Sequence, residues 1–258
     1  MRRTLSVLGL FVAIANGPVH AQPEEPEVPA FDRPGIGLGT GIVRRGALAV
    51  ELGVPSYTRD RDRDAVQQEQ AEGEITLRTG LFEGLELQVS STPWQRQRTR
   101  SPGEPSQRLQ GGGDTLVAVK WAPSTGSHAD RIALLASSTL ARGDAEFTDG
   151  RQYALAGTYE HDFDDRWSGA LYASHTQGSG ERSTTWSPSL TLALTPQVSA
   201  FVEAGFTRQR GEPRESVAGT GVTFMVSDSV QVDSYVDVGL DADSPDLEVG
   251  LGISAYFD

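Results

Sequence analysis

Period-two alternation runs through this chain almost from end to end, and few folds accept it. Successive side chains of an extended strand point to opposite faces, so the pattern marks strands with one face in an apolar medium and the other in a polar one. The first such segment sets Leu48, Val50, Leu52 and Val54 against Ala47, Ala49, Glu51 and Gly53. The next two set Ile75, Leu77 and Leu81 against Glu74, Thr76 and Arg78, and Leu85, Leu87 and Val89 against Glu86, Gln88 and Ser90. Further segments cover 116–121, 132–140, 153–160, 167–174, 189–194, 198–206, 221–226, 230–238 and 247–257. The reading is an all-β protein: a transmembrane antiparallel β-barrel of about twelve strands in an up-and-down meander.

The connections alternate as well. Short turns are expected near Gly84, at 123–130 and 162–166, and at Thr195-Pro196-Gln197 and Ser227-Asp228-Ser229. Longer polar loops are expected at 55–71, 92–113, 142–151, 176–184, 208–215 and 239–246. Short turns on one side and long loops on the other belong to an outer-membrane barrel with both termini in the periplasm. Trp121, Phe163, Trp167, Phe224 and Phe257 fall near the short-turn ends, and Trp94, Tyr153, Trp186 and Phe206 near the long-loop ends. Amphipathic rings prefer the two membrane interfaces. A soluble β-sandwich or a lipocalin-like barrel also alternates. The uniformly long strands and the Tyr256-Phe257 close favour the membrane barrel, although Asp258 follows where such chains usually end on the aromatic.

The N-terminus reads as an export signal. Arg2 and Arg3 precede an apolar stretch at 5–15 that is too short to span a bilayer as a helix. Val19-His20-Ala21 supplies a cleavage site, so 1–21 is a signal peptide and the mature chain begins at Gln22. Residues 22–34, QPEEPEVPAFDRP, are expected to form a flexible periplasmic lead-in, with the barrel over 35–258. Past the signal no apolar run of about eighteen residues remains, which excludes helical spans. The chain has no cysteine, so an exported fold of this size needs a device other than disulfides, and barrel closure is one. A net charge of −13 argues against nucleic acid as a partner.

If the apolar face meets lipid, the other face lines a lumen. That face carries Glu51, Glu74, Arg78, Glu86, Lys120, Glu160, Glu203, Asp233, Asp237 and Glu248, a mostly acidic set and the candidate solute pathway. Arg78 faces Glu86 across a hairpin, and Lys120 is within reach of Glu86. Two arrangements remain open: an acidic aqueous lumen that favours cations and neutral solutes, or a bore filled by salt-bridged side chains.

Three stretches recur in a known family. RPGIGLGTG at 33–41 running into GALAVELGV at 46–54, YEHDFDDRWSGALYAS at 159–174 and DADSPDLEVGLGISAYF at 241–257 resemble the opening, central hairpin and close of a group of proteobacterial outer-membrane transporters. The group is named for the meta-cleavage pathway of phenol degradation. The resemblance implies a barrel that passes small, often hydrophobic organic compounds, and it carries no catalytic residues and no cofactor. Outer-membrane lipid and the barrel assembly machinery are the other partners expected of such a chain.

The remaining polar features bear on lipid contact, a metal site and an enzyme. Arg96, Arg98 and Arg100 in QRQRTR suit phosphates of surface lipopolysaccharide, against the plainer reading of a solvated loop. Asp241, Asp243 and Asp246 lack the spacing of a calcium loop. A lipid hydrolase would need a serine beside a histidine. Of His128, His161 and His175, His175 sits at the outer membrane level with Ser174 and Ser183 near in sequence, and no Gly-x-Ser-x-Gly elbow is present. A purely structural or adhesive barrel is the third reading.

Overall fold

A computed structural model describes residues 31–61, 66–179 and 181–258. The expected signal peptide and most of the lead-in, residues 22–30, lie outside the described residues. Every regular element is a strand: β1 (Leu48–Arg61), β2 (Gln67–Phe82), β3 (Leu85–Arg100), β4 (Gln107–Gly111), β5 (Thr115–Trp121), β6 (Asp130–Ala141), β7 (Gln152–Asp162), β8 (Trp167–Gly178), β9 (Glu181–Ala193), β10 (Val198–Gln209), β11 (Arg214–Ser227), β12 (Val230–Gly239) and β13 (Leu247–Phe257).

Apart from β4 and β5, which do not pair with each other, each strand pairs antiparallel with its neighbours in sequence, and β1 pairs with β13, so the sheet closes on itself. Both β4 and β5 pair with β3, at Gln95–Thr99 and Leu85–Ser91 respectively. They form one wall strand interrupted at residues 112–114, and the barrel has twelve walls as expected. Closure leaves the barrel wall without an open edge, with only β4 of the extension paired on one side, which is what a chain without disulfides or a large apolar core requires.

The usual distribution of side chains is inverted. Leu77, Leu134, Leu155, Leu171, Val202, Val222 and Leu251 stand exposed on the outside. Arg78, Glu86 and Lys120 are 0 % exposed on the inside. The expected aromatics near both rims are exposed to the outside as well, except Phe206, which is half-buried and stacks on Trp186 with centroids 4.3 Å apart. An apolar exterior around a polar interior is the arrangement of a membrane barrel, where lipid takes the place of a protein core.

The strands run past the predicted ends. Segments expected as loops, 55–61, 67–71 and 92–100, continue the sheet as a tall extension of β1, β2 and β3, joined by β4. Beyond the membrane both faces of a strand meet water, so the pairing persists while the alternation fades. Most of the loop expected at 176–184 is strand, since β8 runs to Gly178 and β9 begins at Glu181. At the opposite rim Gly84 makes the two-residue turn between β2 and β3 with φ of 71°. A Cβ there would also lie 2.8 Å from the Ala122 carbonyl oxygen.

Candidate solute pathway

The ten charged residues assigned to the inner face are buried or line the interior, and eight of them meet a part of the chain itself. Residues 31–46 run inside the barrel rather than beneath it. The Asp32 and Arg33 amides donate to the Glu51 carboxylate at 3.0 Å each. The Ile36 amide donates to Glu203 at 3.0 Å and the Val43 amide to Glu86 at 2.7 Å. Thr158 Oγ1 donates to the Leu38 carbonyl at 2.8 Å, and Thr40 Oγ1 to Glu160 at 2.6 Å. Seven strands, β1, β2, β3, β5, β7, β10 and β12, hold the segment by side chains.

The tightest charge cluster sits under its middle. Arg78 Nη1 lies 2.7 Å from Glu51 and 3.5 Å from Asp32, and Nε lies 2.8 Å from Glu86. Lys120 Nζ does not bond Glu86 across the ladder. It donates to Asp32 at 2.6 Å and to the Gly41 carbonyl at 2.8 Å, because the segment brings those acceptors closer. Arg33 reaches Asp233 at 3.5 Å and Glu74 at 3.7 Å. Buried charges are tolerable only when paired, and here one strand face pairs with an internal loop. Of the ten, Asp237 and Glu248 do not hold the segment. Glu248 accepts from Tyr235 Oη at 2.8 Å, and Asp237 Oδ1 is buried without a hydrogen-bond partner.

Residues 32–38 divide the bore into two chambers. The outer chamber, about 410 Å³, is lined by Glu51, Ser56, Glu72, Glu74, Tyr235, Asp237 and Glu248 below the long hairpins. The inner chamber, about 440 Å³, is lined by Thr158, Glu160, Ser168, Tyr172, Ser187, Ser189, Thr191, Ser199, Thr223 and Gln231 toward the short turns. Carboxylates dominate the lining of the outer chamber, whereas the inner one is lined mainly by hydroxyls, with Glu160 and Glu203 among them.

Several contributors were not foreseen. Asp32 and Arg33 fall in the stretch expected as a lead-in, and their Pro and Gly neighbours give no period to read. Arg131 adds a third wall cation, 2.6 Å from Glu160. The glycines at 35 and 37 are the usable signal in hindsight. A Cβ at Gly37 would approach Tyr172 Cβ at 3.0 Å and one at Gly35 would meet Glu203 at 3.3 Å, so the segment is shaped to pass close to the wall.

The other candidates sort by position. His175 lies on the outer face of β8, bonding Thr184 Oγ1 at 2.8 Å, while Ser174 is the next residue on the strand and so faces inward. His161 bonds Asp130 at 2.8 Å near the short-turn rim. Asp241 serves its own loop, accepting from Ser244 Oγ at 2.7 Å and from the Asp243 amide at 3.2 Å. The Ser244 hydroxyl holds the Asp241 carboxyl below the usual carboxylate range. Arg96, Arg98 and Arg100 lie on the outer end of β3 rather than in a loop.

Solved barrels share this architecture. The COG4313 outer membrane channel from Pseudomonas putida F1 superposes with a TM-score of 0.63 at 14% identity, over 87% of this chain and 99% of that one. The KdgM porin in complex with disordered oligogalacturonate gives 0.56 at 9%, over 81% and 99%. The transport unit of the autotransporter AIDA-I from Escherichia coli gives 0.56 at 10%, over 83% and 91%. A comparison with curated proteins gives no match in sequence. Residues 31–257, the luminal segment and the whole barrel, match the family described as the MetA-pathway of phenol degradation, and the chain belongs to that family.

Proposed function

We propose that the protein is a passive channel of the bacterial outer membrane for small organic solutes, entered from outside through an acidic chamber. The observation that carries this reading is the pair of chambers, about 410 and 440 Å³, stacked on either side of residues 32–38. A barrel whose role was only structural would have no use for space on both sides of a bonded segment. Each volume suits a small molecule. The carboxylates of the outer chamber outnumber Arg33 there, which favours neutral and cationic solutes over anions. A polyanion such as the oligogalacturonate held by the KdgM porin is a poor fit. Belonging to the phenol-degradation family supports uncharged aromatic compounds as one class to try. A lipid hydrolase is less well supported, because His175 and Ser174 face opposite sides of β8.

The test is single-channel recording of the refolded protein in a planar bilayer under a salt gradient. We expect small, cation-preferring steps. Asp237→Asn with Glu248→Gln removes the two acids that do not hold the segment, so it is expected to lower the cation preference at unchanged step rate. Asp233 is left alone because it is tied to Arg33. Selectivity identical to wild type would remove the acidic entrance from the reading, and a silent membrane from a folded barrel would remove the channel.

A further inference from the structure

The extension of β1 to β4 above the barrel carries a one-sided distribution of charge. Register fixes which side. On β2 the even-numbered residues Arg78, Thr76, Glu74 and Glu72 face the lumen, so Ala71, Glu69 and Gln67 face out. Tyr57, Arg59 and Arg61 of β1 are their partners. On β3 an extra residue between Ser91 and Trp94 reverses the parity, so Trp94, Arg96, Arg98 and Arg100 face out, opposite Gly73, Ala71, Glu69 and Gln67. Arg108 of β4 stands opposite Arg98. Six arginines therefore share one outward face, and Glu69 is the acid among them, 3.4 Å from Arg100. Among the described residues the other five make no ion pair, and Arg98 Nε is occluded without a hydrogen-bond partner. The same strands turn three glutamines and a threonine, Gln68, Gln70, Gln97 and Thr99, to the inner side.

Height matters as much as sign. Trp94 stands exposed among the outer aromatics. A membrane strand needs about 9–11 residues, so β3, beginning at Leu85, leaves the hydrocarbon near Trp94. Arg96 follows two residues later, roughly 5 Å higher on a strand tilted by about 45°. That is the level at which the polar headgroups of the outer leaflet begin. In a chain with net charge −13, this cluster of guanidinium forks has, among the described residues, one carboxylate partner, Glu69.

We infer that this face binds the phosphate groups of lipopolysaccharide, with Arg96, Arg98 and Arg108 on the lipid A phosphates and Arg59, Arg61 and Arg100 on phosphates of the inner sugars. Guanidinium suits phosphate through paired hydrogen bonds as well as charge. The inference does not depend on what the lumen passes, and it needs only that the long hairpins face the outer leaflet.

The refolded protein in detergent is titrated with lipopolysaccharide, and the temperature at which it loses its compact form on unheated gels is recorded. Wild type is expected to gain several degrees from the phosphorylated lipid and little from the same lipid after phosphatase treatment. The variant Arg96→Gln/Arg98→Gln/Arg108→Gln is expected to unfold at the wild-type temperature without lipid and to lose most of the gain with it. The corresponding Arg→Lys variant, which keeps charge without the fork, is expected to retain part of the gain. Equal gains for wild type and the glutamine variant overturn the proposal. So does an equal gain of wild type from the dephosphorylated lipid, a comparison that needs no variant to fold. Channel recordings on the glutamine variant, expected unchanged, separate this result from any failure of the lumen reading.

Discussion

Arg78 is wholly buried where Glu51, Glu86 and Asp32 converge, so its removal would leave three carboxylates facing one another in a space closed to bulk water. Arg78→Ala is expected to cost about 3–5 kcal/mol, the range for breaking a buried pair by deleting one partner. Lys120→Ala is expected to cost less, because Asp32 would still have Arg78 and the Gln88 amide at 2.9 Å. Urea unfolding followed by tryptophan fluorescence in lipid vesicles checks both, and equal losses would mean that the cluster is not organised around Arg78. The inward direction of these wall charges was legible because a period of two fixes the face of every residue once one face is apolar. Their partners were not legible. Lys120 was matched to Glu86 because the wall strands were the visible neighbours, and nothing in the sequence places Asp32 between them.

At the level of elements, outward residues in mid-strand answer to lipid alone. Leu251 lies in the middle of β13, exposed and paired with Ser234 of β12. Leu251→Arg is expected to destabilise the inserted barrel by about 2–4 kcal/mol, and Arg at Leu247 by about 0–1 because it lies near the outer rim. Folding titrations in vesicles test the difference, and equal costs would place the bilayer midplane elsewhere on β13. Strand number and order could be read because each crossing repeats the same two-faced pattern. Strand ends could not. The residues of β1, β2 and β3 beyond Gly53, Glu72 and Trp94 remain paired but have lost the lipid that made one face apolar. The split between β4 and β5 was invisible for a related reason, since Gly111-Gly112-Gly113 reads as loop whether or not pairing resumes before it.

For the whole molecule the decisive feature is the segment inside the bore. Its exit runs beside Gly80 of β2, where the Arg45 bridge and the Gly46 amide meet the wall. A Cβ on Gly80 would run into the Val43 carbonyl, so Gly80→Val is expected to dislodge the segment while leaving the barrel folded. Step conductance is then expected to rise several-fold, with faster proteolysis at 31–46; wild-type conductance from a folded variant would show that the segment does not limit flow. In mechanical terms the segment is a spoke. A thin-walled tube flattens easily under lateral pressure unless something braces it across the middle, and contacts to seven of the strands do so here. The roundness of the tube and the outline of both chambers are thereby set by a short stretch of chain that is not itself wall. Drift in that stretch would reshape the passage while the hoop of paired strands stayed as it is.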